Sequence, residues 1–153
     1  YSLVRELFFH KKGMSVTEYV EELGTTLGEA LLTPTRIYTA ACNAVLPYHQ
    51  VRGIAHITGG GFFENIPRII PKGLGVKIRM GSWELPKIFQ YITKESGLGR
   101  EDLYATFNMG IGLLMVVPAD EQEAVLSRLH AAGEQAWLVG TIVAGEGVLL
   151  ADA

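Results

Sequence analysis

Ile54-Ala55-His56-Ile57-Thr58-Gly59-Gly60-Gly61-Phe62-Phe63-Glu64-Asn65-Ile66-Pro67-Arg68 reads as the end of a strand, a bare glycine turn and the start of a short helix. The apolar run before the turn suits an interior strand. Three adjacent glycines reach dihedrals closed to other residues and leave the backbone uncovered. A glycine turn that opens a helix aims free N–H groups at one point, where an anion binds well. The same three residues also suit a tight turn that needs glycine for shape alone. Pro67 limits the helix to a short or kinked piece.

Outward from this stretch, the chain alternates. Val51 to Thr58 is a strand, Phe62 to Ile70 a helical segment, and Pro71-Lys72-Gly73 a turn. Val76, Ile78 and Met80 alternate with Lys77 and Arg79, as in a strand with one wet face. Ser82 is placed to cap a helix with Leu85, Ile88, Phe89 and Ile92 on one side, broken by Gly97 and Gly99. Glu101 to Phe107 is a brief link. Asn108 to Val117 reads as the longest strand, and Gly110 and Gly112 inside it suggest a helix or ligand packed on the backbone. Pro118 opens a helix with Val125, Leu126 and Leu129 inward, ended by Gly133. Strands at Ala136 to Ala144 and Val148 to Leu150 follow. This order predicts a sheet covered by helices.

Before Val51 the pattern is helical. Ser2 is placed to cap a helix to about Lys11, with Leu3, Leu7 and Phe8 on one face and Gly13 as its end. Val16, Tyr19, Val20 and Leu23 repeat a helical spacing up to Gly24. Thr33 as N-cap and Pro34 as first helical residue predict a helix with Ile37, Ala41, Ala44 and Val45 in one stripe, closed by Pro47. The first residue is Tyr1, and Tyr1 to Arg5 reads as a helix start already attached to something upstream, so a fragment of a longer protein is expected.

The 153 residues fit one domain, 48% hydrophobic and 19% charged, with ample material for a core. A net charge of −3 argues against a broad basic face for nucleic acid. The single cysteine, Cys42, excludes an internal disulfide and a multi-cysteine metal site, and reads as a small buried helix residue. His10, His49, His56 and His130 have no metal-ligand spacing. No apolar run reaches 18 residues, so no membrane span is expected, and no signal peptide is visible.

Leu32-Thr33-Pro34-Thr35-Arg36-Ile37-Tyr38, taken with the His56 to Arg68 stretch, resembles the C-terminal half of the aminoimidazole ribonucleotide synthetase family, also called phosphoribosylformylglycinamidine cyclo-ligases. Asn108-Met109-Gly110-Ile111-Gly112 resembles a third block of that family, and Gly133-Glu134-Gln135-Ala136-Trp137-Leu138-Val139-Gly140 a fourth. The resemblance implies an α+β fold, a mixed sheet covered by helices with partly ferredoxin-like topology, forming a single C-terminal domain over residues 1–153. It implies cytoplasmic de novo purine biosynthesis, in which ATP activates the amide oxygen of formylglycinamidine ribonucleotide, an amidine nitrogen attacks, and phosphate leaves. ATP and Mg2+ would be bound mainly by the family's N-terminal half, which is absent here, and the full-length enzyme would be a homodimer. The isolated fragment would then be inactive. Two other readings stay open: a related enzyme of the selenophosphate synthetase, thiamine phosphate kinase or hydrogenase-maturation type, and a non-catalytic small-ligand module.

The candidate site follows. Thr58, Gly59, Gly60 and Gly61 form the phosphate cradle. Arg36, in the first turn of the expected helix, is badly placed against the dipole unless an anion lies near; an exposed arginine or a contact with the missing half is the alternative. Thr35 is placed to donate to the same anion. His56 shares a strand face with Ile54 and Thr58 and is a candidate acid or base, or else a satisfied buried histidine. Asn65 either orients substrate or caps its helix; Arg68 either reaches the turn or lies on a solvated face. Asn108 sits at the mouth of a strand, in position for a polar ligand contact. Trp83 and Trp137 read as core.

Overall fold

The computed structural model describes residues 1–152. In chain order, α1 (Ser2–Val4) continues as a π-helical turn (Arg5–Lys11). Then come β1 (Tyr19–Val20), β2 (Thr25–Thr26), α2 (Leu27–Leu31), α3 (Thr39–Val45), β3 (Gly53–His56) and α4 (Gly61–Asn65). A 3₁₀ turn (Pro67–Ile69) leads to β4 (Leu74–Arg79), α5 (Lys87–Ser96), α6 (Arg100–Thr106) and β5 (Leu113–Val116). A second 3₁₀ turn (Ala119–Glu121) opens α7 (Gln122–Ala131), and β6 (Gly140–Ala144) and β7 (Gly147–Ala151) end the chain. Two compact units emerge, one from residues 1–35 and 85–100, the other from residues 36–84 and 101–153.

In the first unit, Leu7 and Phe8 are buried, and the Phe8 ring stacks on Tyr91 of α5 at 5.4 Å. The helical spacing from Val16 to Leu23 is overridden. Tyr19 and Val20 pair with Thr26 and Thr25 in an antiparallel hairpin, since a segment this short gains more from a partner strand than from a marginal helix. The end of that hairpin starts α2. Thr26 and Glu29 form a capping box, and hydrogen bonds, the Thr25 hydroxyl's first, hold the Glu29 carboxyl below its ordinary range. Ion pairs Lys12–Glu95 and Lys94–Glu22 dress the surface of this unit. Ser82 does not cap the next helix as expected. Its hydroxyl donates to the Arg79 carbonyl, and α5 starts at Lys87 behind Pro86.

The second unit carries the rest. β3 and β5 pair antiparallel, His56 opposite Leu113 and Gly53 opposite Val116. β4 is the centre of a mixed sheet, antiparallel to β6 and parallel to β7. The β3–β5 pair, each strand followed by a helix, is the ferredoxin-like part; β4 and β6 depart from it by pairing with each other. The core includes Val76 and Ile78 of β4 and a cluster of Phe62, Trp83 and Tyr104, whose rings lie 5.2–6.2 Å apart. Trp83 Nε1 donates to the Met109 carbonyl at 2.9 Å. The strand expected from Asn108 is shorter, because Met109 and Gly110 both take positive φ and turn the chain before Leu113. No helix among the described residues is long and apolar enough to cross a membrane.

Candidate functional site

β3 and β5 run in opposite directions, so the loop that leaves β3 and the loop that enters β5 lie at the same end of the pair. Ile57 N–H donates to the Gly112 carbonyl at 2.8 Å and fastens the two loops together. One loop is Thr58 to Gly61, the other Asn108 to Gly112.

The first loop is shaped by two glycines and one asparagine. Gly60 has φ +86 and Gly61 φ +54. A Cβ on Gly61 would fall 2.0 Å from the Tyr104 carbonyl oxygen, so that position must be glycine. Asn65, 5% exposed, turns its amide back from the end of α4. Nδ2 donates to the carbonyls of Gly61 at 2.8 Å and Gly59 at 3.1 Å, and lies 3.4 Å from that of Thr58. Arg68 donates to Asn65 Oδ1 at 3.3 Å and so holds the amide from behind. With its carbonyls engaged, the loop leaves the N–H groups of Gly59 and Gly60 without an acceptor among the described residues. Gly59 has ordinary φ, and no atom lies within 4 Å of where its Cβ would be. Shape does not demand glycine there, and the space beside its backbone is open.

The segment before α3 differs from the expected helix start. Residues 33–38 are irregular, and α3 begins only at Thr39, with no side-chain cap. Arg36 therefore does not sit in a first helical turn, and no helix dipole opposes it there. Two tertiary contacts hold this segment instead. Arg36 Nη2 pairs with Glu134 Oε2 at 2.8 Å and lies 3.4 Å from the Gly133 carbonyl. The Tyr38 ring meets His56 edge-on, centroids 5.9 Å apart. Its hydroxyl stands only 1.9 Å from where a Gly112 Cβ would be. All four quoted blocks thus meet through Arg36–Glu134, Tyr38–His56, Tyr38–Gly112 and Ile57–Gly112.

The other site residues take these places. His56 is exposed at the end of β3, against the expectation of a buried histidine, with the Tyr38 ring edge-on to it. Thr35 is exposed. Thr58 is exposed and accepts Gly61 N–H through its carbonyl at 3.0 Å. Arg68, also exposed, lies 3.9 Å from Glu64. Asn108 accepts Gly110 N–H at 3.0 Å and so shapes its own loop. Cys42 is half-buried on α3, and Trp83 is core as expected.

A cavity of about 720 Å³ lies within this unit, walled by β4, β5, β6 and α7. Gly110 to Gly112, Tyr38 and the Arg36–Glu134 pair line it, but Gly59 to Gly61 do not. Its walls are largely aliphatic, which suits no phosphate. Among the described residues no group of His, Cys, Asp or Glu is arranged to hold a metal ion. Sequence reasoning missed Tyr38 and Glu134 as parts of the site. A signal for Tyr38 was present: glycine inside a strand region marks close packing on the backbone, and the packed group at Gly112 is the Tyr38 phenol.

The family described as AIR synthase related protein, C-terminal domain, matches residues 1–152. The phosphoribosylformylglycinamidine cyclo-ligase of Caldanaerobacter subterraneus subsp. tengcongensis is 50% identical over 147 residues, which is 96% of this chain and 44% of that protein. The one from Alkaliphilus oremlandii is 46% identical over 145 residues, 95% of this chain and 42% of that protein. The chain spans less than half the length of these relatives. Among solved structures, thiamine-monophosphate kinase from Stenotrophomonas maltophilia K279a has a TM-score of 0.66 at 15% identity, over 97% of this chain and 46% of that one. The E. coli hydrogenase maturation protein HypE has a TM-score of 0.60 at 23% identity, over 75% of this chain and 36% of that one. At such identities these two are likenesses of fold alone. With a family match over nearly the whole chain and relatives at up to half identity, this chain belongs to the AIR synthase related family, C-terminal domain.

Proposed function

We propose that this chain is the substrate-side part of an ATP-dependent carbon–nitrogen ligase. The reaction closes the imidazole ring of aminoimidazole ribonucleotide from formylglycinamidine ribonucleotide, in the cytoplasm, during purine synthesis. The observation that carries this reading is the glycine turn: Asn65 engages its carbonyls, two N–H groups lack acceptors, and the space over Gly59 is open. Such a turn suits the ribose 5′-phosphate of the substrate. Ring closure by ATP activation needs positioning and charge neutralisation rather than a protein nucleophile. His56, exposed at the end of β3, is the residue to which we assign proton transfer, as an imidazole is suited to it near neutral pH. Thr58 adds a hydroxyl at the turn, Asn108 lies in the neighbouring loop, and Arg68 acts through Asn65; Thr35, exposed, is kept as a donor to the substrate. Arg36 shapes the site through Glu134 rather than by meeting the phosphate. Among the described residues no group of His, Cys, Asp or Glu is arranged to hold Mg2+. ATP and its Mg2+ are assigned to the N-terminal half of the longer protein, a homodimer.

Two measurements test the reading. Inorganic phosphate or ribose 5-phosphate, added to the ¹⁵N-labelled chain, should shift the amide signals of Gly59 and Gly60 first. Unchanged signals at millimolar ligand would sink the cradle. The full-length protein should form aminoimidazole ribonucleotide with ATP, whereas this chain alone should not. Product from thiamine phosphate or selenide instead would move the assignment to a related enzyme.

A further inference from the structure

We propose that Tyr38 is a specificity-determining residue of this site, its hydroxyl donating a hydrogen bond to an uncharged sugar oxygen of the phosphorylated ligand held by the glycine turn. The inference rests on the reading of that turn as a phosphate cradle.

Gly112 carries the first part of the argument. It has no positive φ, so its backbone does not call for glycine. Where the phenol stands, a Cβ at Gly112 would overlap the Tyr38 hydroxyl. The Tyr38 oxygen is thus set directly against the backbone of the second loop. Gly112 is in turn bonded through its carbonyl to Ile57 N–H, two residues before Gly59. One hydrogen bond and two residues of chain therefore link the loop against which the Tyr38 hydroxyl packs to the turn at Gly59. The ring also meets His56 edge-on, with centroids 5.9 Å apart.

The second part is the hydroxyl itself. Tyr38 is half-buried, yet its hydroxyl has no hydrogen-bond partner among the described residues. By contrast, the Tyr1 hydroxyl donates to the Leu31 carbonyl at 2.7 Å. Burial pushes the Tyr38 phenol pKa up, so at neutral pH the group is an uncharged donor. A donor drawn partly out of water without an acceptor is costly unless a ligand or water completes it. An uncharged donor beside, rather than within, the N–H cradle suits a sugar oxygen and leaves the phosphate to Gly59 and Gly60.

The test is a pair of titrations on the whole ¹⁵N-labelled chain, one with inorganic phosphate and one with ribose 5-phosphate, repeated for Tyr38→Phe. Ribose 5-phosphate should bind the unsubstituted chain more tightly than phosphate does. Tyr38→Phe should leave phosphate affinity within about twofold and weaken ribose 5-phosphate about tenfold, as loss of one hydrogen bond does. A purely structural Tyr38 would weaken both ligands alike, and that result overturns the proposal. Equal ribose 5-phosphate affinity with and without the hydroxyl overturns it too. A measurement that needs no variant guards against a folding defect: the ¹³Cζ signal of Tyr38 should move with ribose 5-phosphate and stay still with phosphate. If it stays still with both while Gly59 shifts, Tyr38 fails alone. If neither ligand shifts Gly59 or Gly60, the cradle fails and takes this inference with it.

Discussion

The two glycine loops at the end of the β3–β5 pair are built alike and wired with opposite polarity. Each has two successive residues at positive φ, Gly60 and Gly61 in one, Met109 and Gly110 in the other. Each is organised by an asparagine. Asn65 donates to loop carbonyls, and the N–H groups of Gly59 and Gly60 stay without a protein acceptor. Asn108 does the reverse: its Oδ1 accepts Gly110 N–H, and its carbonyl accepts Ile111 N–H. The first loop can therefore offer donors to a ligand, and the second has already used two of its own. A glycine-rich loop is an anion site only when something else satisfies its carbonyls. The strain in the second loop has a different support. Met109, 1% exposed, tolerates φ +48 because its side chain fills the core and its carbonyl accepts Trp83.

The largest expected effect separates glycines that meet backbone from those that meet a side chain. Gly61→Ala drives a Cβ into the Tyr104 carbonyl at a positive φ. It should cost roughly 4 kcal/mol, the left-handed penalty and overpacking together, read as a fall in urea midpoint. Gly112→Ala should cost less, since the Tyr38 ring is able to swing away. Equal costs would mean that the two loops are constrained in the same manner. Next comes the isosteric exchange of amide for carboxylate. Asn65→Asp sets a buried carboxylate against carbonyl oxygens and should cost about 3 kcal/mol, whereas Asn108→Asp keeps its acceptor and should stay within about 0.5 kcal/mol. Similar losses for both, measured by denaturation at neutral pH, would erase the difference in polarity.

Gly59→Ala sharpens the comparison by function rather than stability. With ordinary φ and empty space around it, the alanine should leave stability within about 0.5 kcal/mol. It should nonetheless lower phosphate affinity about tenfold by covering the exposed N–H groups. A titration curve unchanged by the substitution would mean that ligand does not approach from this side.

Local signals were reliable where the local chain decides. The glycine turn, the break at Pro67, the alternation in β4 and the stops at Gly97 and Gly133 depend on backbone chemistry within a few residues, and all lie where that chemistry places them. Thr33-Pro34 was as good a helix start as any in the chain, yet the helix waits until Thr39. Distant partners decide there: Glu134 for Arg36, His56 and Gly112 for Tyr38. The same holds within the site. Gly59 to Gly61 were legible as a bare turn opening a helix, but the direction of the Asn65 amide was not, because three carbonyls brought together by the fold set it. The resemblance of four short blocks identified what must meet, and contacts between them could be seen only in three dimensions.

The smallest expected effect concerns Arg36. Its guanidinium is half exposed while its partner Glu134 is largely buried, at 51% and 11% side-chain exposure. Such a pair is screened by solvent and contributes about 0.5 kcal/mol. Glu134→Gln keeps the shape of the partner and removes its charge, leaving Arg36 free to turn toward any anion nearby. If the first loop alone holds the phosphate, affinity should change by no more than about twofold and the Gly59 shifts should keep their pattern. A marked tightening would instead make Glu134 a restraint on a cation within reach of the phosphate, and the cradle would then comprise the loop and a guanidinium together. A marked loss would mean that the ion pair holds the segment bearing Tyr38 in place, which a parallel loss for Arg36→Gln would establish independently of charge.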